Sequence, residues 1–175
     1  MKILVIGGGG REHAIVRKLK ESPHTTELYC APGNGGIAKD AQCVPLSASD
    51  IPGVVEFCKK NQTDLVFVAP DDPLAAGMVD ELEKAGIRAF GPNAKAARIE
   101  SSKVFAKGLM KKYHIPTAKY EVFDDPEKAL DFIRKRGSYP AVIKADGLAL
   151  GKGVILAADY AEAQAAVKKI MEDKA

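Results

Sequence analysis

The sequence predicts an α/β fold with a parallel sheet, and two observations support this prediction. Short apolar runs alternate along the chain with amphipathic stretches of helical period. The first run, Lys2–Ile6, is nearly unbroken, which is typical of a strand covered on both faces. The length of 175 residues suits one ordinary domain, or a small domain with part of another.

Composition excludes several classes of protein. Lys plus Arg number 26 and Asp plus Glu number 23, so the surplus of +3 is too small and too dispersed for a nucleic-acid groove or a membrane-binding face. No apolar run approaches the ~18 to 20 residues of a membrane span. The three cysteines show no Cys-x-x-Cys spacing, and the histidines are not paired at metal-ligand spacing. This pattern argues against a disulfide scaffold and against a structural zinc site. It favours a protein of the reducing cytoplasm.

The first ninety residues predict five strands and three helices. Glycines follow the first strand directly, which argues against a signal peptide. The next segment, Arg11–Ser22, has apolar residues on one helical face, and Pro23 ends this helix. The other elements follow from apolar runs, caps and breakers. They are strands Glu27–Ala31, Gln42–Pro45, Asp64–Ala69 and Arg88–Phe90, a helix opened by Asp50 and Pro52, and a helix Pro73–Ala85 capped by Asp72 and Gly86. This order is Rossmann-like.

Beyond residue 92 the pattern changes to helices followed by a strand hairpin. Asp159 and Glu162 form a predicted capping box that opens the last helix. The preceding elements are helices Asn93–Glu100 and Ser102–Tyr113, strand Lys119–Phe123, helix Pro126–Arg136, strand Ala141–Ala145, the glycine-rich loop Gly147–Gly153 and strand Val154–Ala157.

The loop Gly7–Gly10 directly after the first strand predicts a phosphate site. Glycines let a ligand approach the backbone, the following helix offers unpaired N–H groups, and Arg11 adds a bidentate donor. NAD is disfavoured, because Glu12 or His13 stands where the dinucleotide fingerprint needs a small residue. The second strand also lacks the terminal acid that would hold a ribose hydroxyl. A plain glycine turn with solvent-facing Arg11 is the alternative.

Two further loops fall at the carboxyl edge of the predicted sheet, where open α/β folds collect ligands. Pro32–Gly36 follows the second strand, and a plain turn explains it equally well. Asp71 follows the fourth strand and is available to accept a hydrogen bond from a sugar hydroxyl or an amine.

The loop Gly147–Gly153 is not a Walker A loop, because its spacing is one residue short, it lacks the Ser or Thr and a strand follows it. It predicts a glycine hairpin over the phosphates of a nucleotide. Lys152 is expected near the tip, and strand alternation places Lys144 on the same face as Val142. A solvated strand face is the alternative for Lys144.

In family order, these segments closely resemble the glycinamide ribonucleotide synthetase (phosphoribosylamine–glycine ligase) family of the ATP-grasp superfamily, over the whole chain. The matching stretches are Gly9–Ala14, Ala31–Asn34, Phe90–Pro92, Glu100–Lys103, Ile115–Ala118, Ile143–Ala149 and Gly151–Val154. Three departures are Asp71 for the usual glutamate, Leu150 for a usual alanine, and Gly8 where asparagine is common.

The resemblance implies ligation of glycine to 5-phosphoribosylamine, with ATP and Mg²⁺ (or Mn²⁺), through glycyl phosphate. It implies a phosphoribosylamine-binding Rossmann-like domain at 1–102 and the beginning of an ATP-grasp domain at 103–175. The implied substrate-binding residues are Gly8, Gly9, Gly10, Arg11, Glu12, His13, Pro32, Gly33, Asn34 and Asp71. The implied nucleotide-binding residues are Lys103, Lys144, Asp146, Gly147, Leu148, Gly151, Lys152 and Gly153.

Family members continue well past the last residue of this sequence, into the part that carries the metal ligands and the glycine site. We therefore expect an N-terminal fragment that is monomeric and does not complete the ligation alone. Its expected partners are small molecules, namely phosphoribosylamine, glycine and ATP, with no nucleic acid and no membrane. The alternatives are another ATP-grasp carboxylate–amine ligase, or a non-catalytic module that binds a nucleotide or a phosphoribosyl ligand.

Overall fold

The computed structural model describes residues 1–148 and 153–173. The chain divides into two compact units, Met1–Arg98 and Ile99–Ala175. Each unit has its own sheet.

The first unit is built on a five-stranded parallel sheet of order β3-β2-β1-β4-β5, which confirms the predicted α/β class. Its strands are β1 (Lys2–Gly7), β2 (Glu27–Pro32), β3 (Gln42–Cys43), β4 (Leu65–Val68) and β5 (Ala89–Phe90). The chain builds outward on one side of β1 and then returns to add β4 on the other side. The carboxyl ends of β1 and β4 therefore form the topological switch point, the usual ligand site of open parallel sheets.

The central strand is apolar because both of its faces are covered. Residues 3–6 are at most 4% exposed, and β1 pairs with β2 on one side and β4 on the other. The helices of this unit are α1 (Gly10–Lys20), α2 (Ile51–Asn61), α3 (Asp71–Ala75) and α4 (Met78–Lys84), with a short 3₁₀ turn at Ile37–Lys39. Asp50 caps α2 as predicted, since its carboxylate accepts the Gly53 N–H at 3.0 Å.

The single helix predicted over Pro73–Ala85 is wrong. Gly77 adopts φ +88, a left-handed conformation that interrupts the helical ladder and separates α3 from α4. Asp72 is not the N-cap either, because α3 begins at Asp71 and Pro70 precedes it. Asp72 instead lies in the first turn, where its charge complements the helix dipole.

Gly86 ends α4, as the sequence predicts. It has φ +75, its N–H donates to the Glu83 carbonyl, and the Ile87 N–H donates to the Leu82 carbonyl. This is a Schellman motif, in which glycine supplies the left-handed residue just after the helix. The third and fifth strands are shorter than predicted, with two residues each.

The second unit contains an antiparallel hairpin packed on helices. Strand β6 (Ala141–Lys144) pairs with β7 (Val154–Ala157), and the buried face of the hairpin packs with Ala163 and Ile133. Helix α5 (Ala94–Ser101) contains the boundary between the two units in the sequence. The helices that follow it are α6 (Lys103–Lys112), α7 (Pro126–Arg136) and α8 (Tyr160–Val167), and a π-helical turn covers Lys168–Glu172.

The strand predicted over Lys119–Phe123 is wrong, because this segment has no regular secondary structure. Strand formation needs a ladder partner. The small sheet of the second unit consists of β6 and β7 in the part of the chain that the structure describes. The Asp159 cap of α8 is confirmed at 2.9 Å from the Glu162 N–H, while the Glu162 carboxylate reaches back to the Ala158 N–H.

Across residues 1–148 and 153–173, no helix has both the length and the apolar character that a membrane crossing requires.

Candidate functional site

Three loops converge at the carboxyl edge of the parallel sheet, as expected from the topology. They follow β1, β2 and β4, and hydrogen bonds or ion pairs link the first of them to each of the others. The structure therefore brings the predicted residues of the loops Gly8–His13 and Pro32–Asn34 into one site with Asp71.

The first two loops touch through their backbones. A Cβ on Gly8 would lie 2.6 Å from the Gly33 carbonyl oxygen, so only glycine permits this approach. The Gly33 N–H donates to the Gly7 carbonyl at 3.1 Å, and the Ala31–Pro32 peptide bond is cis.

Asn34 holds the second loop in place. Its Nδ2 donates to the Gly8 carbonyl at 2.8 Å, and its Oδ1 accepts the N–H groups of Gly36 and Ile37 at 2.7 and 2.9 Å. Both ends of the amide are thus used within the protein, which makes Asn34 a bridge between the two loops.

Glu12 is the buried charged residue of this site, only 5% exposed. Its Oε2 accepts the Gly9 N–H at 2.6 Å, so the acid caps the amino terminus of α1, where the sequence predicts a phosphate. Its Oε1 is buried without a hydrogen-bond partner among the described residues and lies 3.3 Å from Arg11 Nε. The carboxylate therefore keeps capacity to accept one more hydrogen bond.

Arg11 lies across the switch point. Its NH1 is 3.8 Å from Asp71 Oδ1, and the two side chains are 61% and 44% exposed. A guanidinium held between two carboxylates, Asp71 and Glu12, remains open to solvent and to an anion.

Sequence reasoning missed the residues that orient His13. Asp40 Oδ2 lies 3.2 Å from His13 Nε2, and Lys20 Nζ donates to Asp40 Oδ1 at 3.0 Å. The hydrogen bond from Lys20 has the largest effect on the Asp40 carboxyl, and together with the hydrogen bond from His13 it holds the pKa of this carboxyl below its ordinary value. His13 and Asp40 are 27 residues apart, and no local pattern signals their contact.

Replacing Lys20 with methionine is expected to raise the pKa of Asp40 towards its ordinary value. A carboxyl whose pKa is lower in the folded state stabilises the protein at pH values above its unfolded-state pKa of about 3.9. This contribution disappears as the pH falls through the folded-state pKa. The stability difference between wild type and Lys20→Met should therefore be present at neutral pH and vanish in acid. Carboxyl ¹³C titration and urea denaturation measure both quantities.

Lys18→Met is the matched control, since Lys18 lies on the same helix but pairs with Glu21. The hydrogen bond from Lys18 lowers the pKa of Glu21, so this variant should raise the pKa of Glu21 and leave that of Asp40 unchanged. An Asp40 pKa that is the same in Lys20→Met as in wild type would contradict the assignment.

In the second unit, the structure brings Asp146 to the amino terminus of α6. Ser102 Oγ donates to the Asp146 carboxylate at 3.1 Å, and the Val104 N–H donates to it at 3.1 Å. Burial opposes ionisation of this carboxyl, but these hydrogen bonds outweigh it and lower its pKa. Ser102 is a further residue that sequence reasoning did not assign to the site.

Two of the predicted lysines, Lys103 and Lys144, lie at the base of the glycine-rich loop. Lys103 Nζ donates to the Gly147 carbonyl at 2.8 Å. Lys144 ends β6 on the exposed face that it shares with Val142, as strand alternation predicts. Leu148 is 37% exposed. The predicted residues Gly151 and Lys152, and the departure at Leu150, lie outside the described residues.

A metal site was not expected within this sequence. Residues 1–148 and 153–173 contain no group of three or more His, Cys, Asp or Glu side chains that could hold a metal ion. The described residues therefore contain no set of protein ligands that could hold Mg²⁺ or Mn²⁺ without substrate phosphates.

Family models match both units. The model described as "Phosphoribosylglycinamide synthetase, N domain" matches residues 1–100, and the model described as "Phosphoribosylglycinamide synthetase, ATP-grasp (A) domain" matches residues 101–175.

Individual relatives are similar over nearly the whole chain. The phosphoribosylamine–glycine ligase of Caldanaerobacter subterraneus subsp. tengcongensis is 49% identical over 99% of this chain and 42% of its own length. That of Listeria monocytogenes is 52% identical over 98% of this chain and 41% of its own length. The crystal structure of the Thermotoga maritima phosphoribosylamine–glycine ligase has a TM-score of 0.75 at 34% identity, covering 94% of this chain and 38% of that one. The chain thus spans about two fifths of the length of the curated relatives that it matches.

Proposed function

The chain belongs to the phosphoribosylglycinamide synthetase family, and we propose that it supplies the phosphoribosyl site and part of the ATP site for ligation of glycine to 5-phosphoribosylamine. In this reaction the glycine carboxylate attacks the γ-phosphate of ATP and releases ADP. The amine of phosphoribosylamine then attacks the resulting glycyl phosphate, phosphate leaves, and an amide forms. The products are glycinamide ribonucleotide, ADP and phosphate.

The convergence of the three loops at the switch point carries the proposal for the first unit. Phosphoribosylamine has a phosphate at one end and hydroxyl and amino donors at the other. Arg11 matches the phosphate, while Glu12 Oε1, which can accept one more hydrogen bond, and the exposed carboxylate of Asp71 match the donors. Asp71 is one methylene shorter than the usual family glutamate but lies beside Arg11 at this same edge.

In the second unit we assign the nucleotide to the exposed face of the β6–β7 hairpin and its glycine-rich loop. Val142, Val154 and Leu156 leave an apolar surface on that face, and Lys144 lies beside it. An apolar surface next to a lysine suits a purine ring and its phosphates, and the lysine neutralises charge in phosphoryl transfer. The proposal also places the protein in a reducing compartment, which is consistent with its three free cysteines.

Replacing Arg11 with alanine is expected to weaken binding of glycinamide ribonucleotide, the stable product, about tenfold or more. This is the scale of one lost charge-assisted hydrogen bond, about 1.5–3 kcal/mol. Calorimetric titration of the chain measures the change, and NAD serves as the control ligand.

Arg17→Ala is the matched control, because Arg17 is an exposed arginine in the last turn of the same helix. It should bind glycinamide ribonucleotide as tightly as wild type. Equal losses in both variants would indicate a general effect of charge, and binding of NAD alone would exclude the proposed ligand.

A further inference from the structure

We propose that Asp146 is a positioning residue, whose carboxylate holds the base of the glycine-rich loop on the amino terminus of helix α6. The inference rests on the proposed function, which assigns that loop to the nucleotide. It differs from the expectation that Asp146 itself contacts the nucleotide.

The contacts of Asp146 lie at the first turn of α6. Ser102 Oγ is 3.1 and 3.3 Å from the two carboxylate oxygens, and the Val104 N–H donates to Oδ1 at 3.1 Å. Ser102 also caps the helix by accepting the Phe105 N–H at 3.1 Å. One carboxylate and one hydroxyl therefore satisfy N–H groups that the start of a helix leaves unpaired.

The chemistry of this arrangement does not suit direct contact with a phosphate. An ionised carboxylate only accepts hydrogen bonds, and it already occupies the positive end of the helix dipole, where an anionic ligand would otherwise bind. A phosphate at the same place would meet a like charge.

The position of Asp146 in the chain explains what this contact controls. The residue follows Lys144 by two positions and immediately precedes Gly147, whose φ is +104. Lys103 Nζ donates to the Gly147 carbonyl, and the Ala145 N–H donates to the Gly153 carbonyl at 2.8 Å. The anchor at Asp146 thus fixes the direction in which the chain leaves β6 towards the loop.

The first experiment needs no nucleotide. Amide NMR and hydrogen exchange are recorded for wild type, Asp146→Asn and Ser102→Ala. Both variants should shift the Gly147 resonance, and Ser102→Ala should also speed exchange at the Phe105 N–H, which Ser102 caps, about tenfold, the scale of a lost helix cap. Ser102→Thr, which keeps the hydroxyl, should restore both signals.

Asp125→Asn is the matched control, because Asp125 caps α7 through the Glu127 and Lys128 N–H groups. It should perturb those two amides and leave Gly147 unchanged. A Gly147 resonance that is unchanged in Ser102→Ala would overturn the inference, because residue 102 is remote in sequence from Gly147 and acts on it through Asp146. Ser102→Ala keeps the test valid if Asp146→Asn does not fold.

The second experiment measures ATP affinity with and without Mg²⁺. Asp146→Asn and Ser102→Ala should each weaken ATP binding about fivefold in both conditions, and the double variant should be no worse than either single one. A loss confined to Asp146→Asn, or seen only with Mg²⁺, would show direct or metal-mediated contact and overturn the positioning role.

These outcomes separate the inference from the function on which it rests. If wild type does not bind ATP, the proposed nucleotide site is wrong and the positioning role for that site is lost with it. If wild type and both variants bind ATP equally well, the proposed site stands and the positioning role is wrong.

Discussion

Replacing Gly7 with alanine is expected to destabilise the first unit by about 4 kcal/mol, the sum of backbone strain and steric overlap. Gly7 has φ +120, a conformation that side chains with a Cβ rarely adopt. A Cβ there would also lie 2.6 Å from Glu12 Cγ and 3.0 Å from Pro70 Cγ. Glu12 cannot easily move, because it is buried and caps the Gly9 N–H.

Amide hydrogen exchange is the appropriate measurement, because the chain contains no Trp and its Tyr residues occur in both units. Exchange in β1 and β4 reports unfolding of the first unit alone. Gly10→Ala is the control, since nothing lies within 4 Å of a Cβ at Gly10 and alanine favours the helix that begins there. Equal stability of Gly7→Ala and wild type would contradict the assigned conformation of the loop.

Replacing Leu4 with alanine should destabilise the same unit by about 3–4 kcal/mol, the usual result for a leucine truncated in a well-packed core. Leu4 is fully buried in the middle of β1 and pairs in register with Tyr29 and Val66, which belong to the same core cluster. Strands on both sides limit collapse around the lost side chain, so most of the cavity should remain.

Leu156→Ala is the control for Leu4→Ala, because Leu156 is 64% exposed on the hairpin of the second unit. Its effect on stability should stay within about 0.5 kcal/mol. Because the two units have separate cores, exchange in the β1 amides should respond to Leu4→Ala and not to Leu156→Ala. A small effect of Leu4→Ala would mean that the strand is not the centre of the core.

Leu4 and Gly7 both belong to β1, the strand that precedes the candidate phosphoribosyl site. Leu4 fixes that strand in the sheet, and Gly7 lets the chain leave it so that Glu12 can return to cap Gly9. A variant that disturbs either step should also displace Arg11 from the switch point. Stability must therefore be measured before any loss of ligand binding is attributed to a loop residue.

Local patterns in the sequence determined most of the secondary structure and the position of the loops. The apolar run of β1, the Asp50 cap of α2 and the left-handed Gly86 after α4 were all predictable, because each depends on residues within one or two turns of one another. The family was also recognisable from short motifs in the correct order. The same local reasoning placed the loop that is the candidate phosphate site directly after the first strand.

Only the tertiary structure decided how the site residues are connected. It placed Asp40 beside His13, and Asp146 beside Ser102, pairs that lie 27 and 44 residues apart in the sequence. It also divided one predicted helix at Gly77 and left the predicted strand Lys119–Phe123 irregular. Local propensity sets the conformation of a segment, whereas these features depend on which neighbour a side chain or a strand edge finds after the sheet has assembled.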